Sequence, residues 1–132
     1  MAEISPSNVA DFIERFQHCY DGLVRDVRVD FAARNVMITL SVQDQEAQKN
    51  ESWVNLVLQV EGVAEFILIE GKSTCAVLSQ GLQVGFFDGV TYLDFCPYTE
   101  VPYSIHDFRR SRFLVAGKRC TWSISRYTDR GD

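Results

Sequence analysis

Four side chains that enzymes use stand side by side in FQHCYDG, residues 16–22: His18, Cys19, Tyr20 and Asp21. A cysteine nucleophile needs a base brought to its sulfur, and successive residues on a helix point about 100° apart, so His18 and Cys19 form no relay with each other. The apolar pattern before them places the pair at a helix C-terminus, whose partial negative charge raises a thiol pKa, whereas an activating site lowers it. The chemistry argues for His18 as a capping cation, and any functional share falls to Tyr20 and Asp21.

The second concentration of reactive types is YSIHDFRRSR, residues 103–112, where His106 and Asp107 precede Arg109, Arg110 and Arg112. Arginine forks grip carboxylates and phosphates at two points, so this segment suits an anion or an acidic partner. Tyr98, Tyr103 and Phe108 lie in the longer stretch 96–112 beside prolines and arginines, and aromatic plus arginine is the usual make-up of an interface anchor. Tyr98, Tyr103, His106, Phe108 and Arg109 are therefore the candidate partner-binding residues. A small-ligand or enzymatic site would draw instead on His106, Tyr103 and Arg109.

No glycine-rich phosphate loop, HExxH or GxSxG pattern occurs, and the chain has 2 histidines. The 4 cysteines, Cys19, Cys75, Cys96 and Cys120, form no CxxC pair, so no zinc cluster or redox motif is spelled out. Cys120 alternates with Trp122 and Ile124 and reads as a small apolar core residue. These observations predict no catalytic residue, no metal and no cofactor.

Charge adds a second constraint. The net charge of −5 is uneven: residues 35–100 carry nine acids against Lys49 and Lys72, while residues 101–132 carry seven bases against three acids. Nucleic-acid binding is disfavoured, because affinity for phosphate backbones comes from accumulated Lys and Arg. An acidic surface would instead steer a basic protein partner. The first twenty residues lack a basic start followed by an apolar block, and the longest apolar run, Phe66–Ile69, is far short of the roughly 20 residues of a spanning helix. The expectation is a cytoplasmic protein that does not enter a membrane.

A single domain with one core must hold these segments, since 132 residues at 46% apolar and 23% charged is a packed composition. Residues 5–17 predict a helix: Ser5 or Ser7 can cap it, and Val9, Phe12, Ile13 and Phe16 form one stripe, with Tyr20-Asp21-Gly22 as the stop. The period then becomes two. Val27, Val29 and Phe31, the turn AARN, and Val36, Ile38, Leu40 and Val42 predict a hairpin. After a polar loop at 43–52, Val54, Leu56, Leu58 and Val60 share a strand face, Gly62 is expected to break the strand, and AEFILIE to begin another. Asp88-Gly89 between β-rich runs predicts a two-residue type I′ hairpin with strands near 82–87 and 90–95. Residues 96–112 read as a long excursion, and RFLVAGKRCTWSIS as a last hairpin turning at Ala116-Gly117-Lys118. The sum is α+β: one N-terminal amphipathic helix packed on a mainly antiparallel, strongly curved sheet or partly open barrel of about eight strands.

The succession FQHCYDGLVRDVRVDF, VMITLSVQ, WVNLVLQVEGVAEF, TYLDF and CTWSI resembles small bacterial immunity proteins, in particular the fiftieth numbered family of polymorphic-toxin immunity proteins. That family tends to open with a His-Asp pair before a meander of strands, with an apolar-Gly-Val-x-x-Phe element midway. Here Tyr20-Asp21 stands in place of the pair, and Val60 to Phe66 matches the midway element. The resemblance spans residues 16–95 and implies a stoichiometric binder of a toxin domain, with no catalytic residue to carry over. Self-pairing into a homodimer through an edge strand remains compatible with the pattern.

Overall fold

The computed structural model describes residues 2–47, 52–70, 76–97 and 104–126. In chain order the elements are β1 (Ala2–Glu3), α1 (Val9–Arg15), β2 (Gly22–Asp30), β3 (Asn35–Gln43), β4 (Trp53–Leu68), β5 (Val77–Leu78), β6 (Gln83–Phe87), β7 (Val90–Asp94), α2 (Ile105–Arg109) and β8 (Phe113–Arg126). The fold is α+β. All strand pairs are antiparallel, in the order β5-β2-β3-β4-β8-β7-β6, with β1 added to β8 beside Thr121 and Trp122.

The sheet curls into a half-barrel because two of its strands are bulged. In β2 the register with β3 shifts between Val24 and Asp26, and in β4 the register with β8 shifts between Val63 and Glu65. An extra residue on one side of a ladder bends that strand and tightens its twist. The concave face receives the period-two set read from the sequence: Ile38, Leu40, Leu56, Leu58 and Val60 are all buried. Onto it α1 lays Phe12, and the residue just past its end, Phe16, joins it; their rings stand 5.7 Å and 5.3 Å from that of Trp122. Each such ring removed from water contributes about 2 kcal/mol or somewhat more.

The helix is shorter than its apolar stripe suggested. Instead of a cap at Ser5 or Ser7, a turn closes on itself, with Asn8 N–H donating to Ser5 O at 3.1 Å and Ser5 N–H to Asn8 Oδ1 at 2.9 Å. The helix therefore begins at Val9. It ends at Arg15, and Gln17, His18 and Cys19 follow with φ of 53°, 58° and 55°. Gly22 is not the stop. It opens β2, where a side chain would meet Val42 and the Cys19 carbonyl.

Two glycines expected to break or turn the chain lie inside continuous strands. β4 runs through Gly62, which takes a φ of 62° just before the bulge, so AEFILIE is no separate strand. β8 runs straight through Ala116-Gly117-Lys118, so no last hairpin exists. A Cβ at Gly117 would sit 2.5 Å from Val60 and 2.7 Å from the Glu61 carbonyl. That glycine lets two backbones approach and turns nothing. The Asp88-Gly89 hairpin is as read: both residues have positive φ, 51° and 77°, and Phe87 faces Val90. Among the described residues no helix is long and apolar enough to cross a membrane.

Candidate functional site

After β7 the short helix α2 packs on the convex face of the sheet, and its seat is built from four strands. β7 presents Tyr92 outward, paired with Ala116 of β8 and with Gly85 of β6. Gly85 leaves a notch, since a Cβ there would lie 2.7 Å from the ring of Phe108. Into it α2 drops Phe108, 2% exposed, with ring centroids 5.8 Å from both Tyr92 and Phe87. Together with Leu114 and Ala116 these residues form a second, smaller core on the outer side. The helix itself is five residues long and is started by Ser104, whose side chain accepts from Asp107 N–H at 3.3 Å.

A polar clamp holds the same helix from the side. Arg109 donates from Nε to Glu65 Oε1 at 2.8 Å and from Nη2 to Glu65 Oε2 at 3.1 Å, and the Tyr92 hydroxyl donates to Glu65 Oε2 at 2.9 Å. Glu65 stands just past the β4 bulge, which aims it along the convex face towards α2. The Arg109 guanidinium, helped by the Tyr92 hydroxyl, holds the Glu65 carboxyl below its usual pKa against the opposing effect of burial. Burial and the adjacent carboxylate raise the Tyr92 phenol. The acid is kept ionised and the phenol protonated, which suits a clamp and leaves neither group poised for proton transfer near neutrality.

The two ends of the excursion are drawn together at its base. The Ser111 hydroxyl lies 3.1 Å from Cys96 O and 2.9 Å from Phe113 O, sharing one proton between them, and accepts from Phe113 N–H at 3.0 Å. Beneath it Asp94 is fully buried. Its Oδ1 accepts from Cys96 N–H at 3.0 Å, and its Oδ2 has no hydrogen-bond partner. Burial pushes the Asp94 carboxyl up to about 6, with the Cys96 amide opposing it.

The candidate partner-binding residues thus fall into separate places. Phe108 is an inward anchor and Arg109 is engaged by Glu65, while His106 lies exposed on α2. Tyr98 and Tyr103 lie outside the described residues. The small-ligand alternative counted on Arg109 as a polar group of the site, and its fork is occupied within the fold.

FQHCYDG is a junction. Its left-handed turn puts the His18 carbonyl where it accepts from Leu82 N–H at 2.8 Å, and Asp21 N–H donates to Leu78 O at 2.9 Å. Non-glycine residues in that conformation cost about 1 kcal/mol or more each, and packing against Gly81 and Leu82 holds them there. Cys19 is buried, which pushes its thiol up to about 12. His18 and Tyr20 are exposed, with rings 5.3 Å apart. Cys120 is likewise buried, with its thiol at about 12. Among the described residues no group of three His, Cys, Asp or Glu side chains converges as a metal site would need.

Glu65, Tyr92, Asp94 and Ser111 were not singled out from the sequence. The available signal was an acid inside each of two β-rich runs, Glu65 in VAEFILI and Asp94 in TYLDF. A second missed clamp joins Arg15 to Asp44 through Nε and Nη2 at 2.9 Å and 3.0 Å, with the guanidinium 5.1 Å from the Trp122 ring. Comparison of the chain with family models, with curated proteins and with solved structures finds no match.

Proposed function

We propose that this protein is a non-enzymatic protein-binding module, working as an immunity-type inhibitor that covers a toxin domain with the excursion at 96–112. The supporting observation is the way α2 is held. A five-residue helix is too short to persist alone in water, yet here Phe108 fills the Gly85 notch and Arg109 grips Glu65. Such a hold orders the helix before any partner arrives, which lowers the entropy cost of association. It leaves His106 outward, with Tyr98 and Tyr103 as the aromatic candidates of the same segment. The acidity of residues 35–100 adds long-range attraction for a basic partner, as a nuclease toxin would be.

The reading is tested by co-expressing the protein with the polypeptide encoded immediately beside its gene. Relief of growth arrest, together with a one-to-one complex that forms without turnover, supports it. Growth arrest that persists despite soluble expression, or a neighbouring gene whose product acts in metabolism and is not toxic, contradicts it.

A further inference from the structure

The two margin strands of the half-barrel, β2 and β6, are unlike, and the difference points to a second copy of the chain. At one margin β2 is covered, among the described residues, by β5 at Gly22 and Leu23 and by the Ala76 carbonyl at Val24, and beyond that it carries Arg25, Asp26, Arg28 and Asp30 and a bulge at Arg25. Charges and bulges are what keep an edge strand from pairing with another sheet. The other margin is β6, QVGFF, which has no charge, proline or bulge.

Which peptide groups of β6 face outward follows from its hairpin. Phe87 and Val90 flank a two-residue turn and bond each other, so the alternation of an antiparallel ladder points Gln83, Gly85 and Phe87 at β7 and points Val84 and Phe86 away. Leu82, in phase with them, confirms the direction, since its N–H leaves the sheet to reach His18 O. Among the described residues nothing bonds the backbone of Val84 or Phe86. Beside this edge, between α1 and the start of β6, runs a groove of about 200 Å³ lined by Val9, Ile13, Leu82 and Val84.

We infer that two copies pair antiparallel through β6 about a two-fold axis at Gly85, making one continuous sheet. In that register Val84 of each copy faces Phe86 of the other, and their outward N–H and C=O groups close four hydrogen bonds. Each Phe86 side chain, on the concave side of its own sheet, comes beside the other copy's Val84 and into the groove along Val9 and Ile13. Asp88 falls opposite Leu82 and meets no like charge. The strand is thus complementary to itself in bonds, in side chains and in charge. This inference is independent of the toxin reading.

Light scattering of the full-length protein across a concentration series, with amide exchange read at Val84, Phe86 and, as a buried control, Leu93, tests it. The expected result is a mass of two chains that dissociates on dilution, with Val84 and Phe86 protected only in the dimer. Val84→Pro removes one donor per copy at an edge position that tolerates proline, and should raise the dimer dissociation constant at least about tenfold while the melt stays cooperative. A single-chain mass at every concentration overturns the inference. So does a dimer in which both amides exchange freely, and so does protection that appears only on adding a different protein. The amide readings on the unaltered chain decide the matter even if the proline variant fails to fold.

Discussion

Arg109 and Glu65, 44 positions apart in the chain, meet in a two-point ion pair that ties the short helix of the excursion to the bulged fourth strand. The pair sets a pH dependence whose sign can be worked out. The Glu65 carboxyl titrates lower in the folded protein than in the unfolded chain, where a glutamate titrates near about 4.3, so the unfolded state binds more protons in acid. The clamp's contribution is complete above that unfolded value and fades as pH falls through the folded one. In urea melts from pH 7 to pH 3, Glu65→Gln should remove this part of the acid loss of stability. An unchanged acid limb in the variant would contradict the clamp.

Asp94 predicts the opposite slope. Its folded pKa of about 6 exceeds the roughly 3.9 of an unfolded aspartate, so the folded state holds the proton more tightly between those values. Stability therefore falls as pH rises from 4 through 6, and the penalty at neutrality is on the order of 3 kcal/mol. Asp94→Asn should flatten that segment of the curve and raise the melting temperature at pH 7. A variant less stable than the parent at pH 7 would show that the ionised carboxylate is stabilised beyond its bond from Cys96 N–H.

The glycines separate two costs. At Gly85 an added methyl meets the Phe108 ring at 2.7 Å, so Gly85→Ala should destabilise by about 1–3 kcal/mol and increase amide exchange in the excursion helix. At Gly89 nothing lies within 4 Å of a new Cβ, and only the φ of 77° is strained, so Gly89→Ala should cost about 1 kcal/mol with no change at Phe108. Equal exchange in the two variants would mean that Gly85 does not seat the ring.

The thiols should be inert where they are buried. With their thiols near 12, Cys19 and Cys120 should react with a thiol reagent at pH 7 only after unfolding, and the half-buried Cys96 should react before either. Rapid labelling of Cys19 in the native protein would reopen FQHCYDG as a reactive site.

Much of the sheet was legible because its cause is local. Val36 to Val42 and Val54 to Val60 alternate with period two, and the Asp88-Gly89 turn carries a dipeptide its geometry favours. What misled was glycine. Gly62 and Gly117 read as breaks, although one takes a left-handed φ within a continuous strand and the other makes room for Val60 across the ladder, and such needs leave no local mark. The clamp was hidden for the same reason. Arg109 was singled out as a partner contact, but nothing near it in the chain announces Glu65.

The most direct measurement of the binding proposal is calorimetric titration of the purified protein into the domain encoded beside it, comparing the parent with His106→Ala. His106 is exposed on the clamped helix. If that helix is the contact surface, the parent binds with one-to-one stoichiometry. The variant then loses at least about 1 kcal/mol of binding free energy while its melting temperature is unchanged. Binding of undiminished affinity by His106→Ala would remove the excursion helix from the interface, and absence of binding by the parent would contradict the proposal outright.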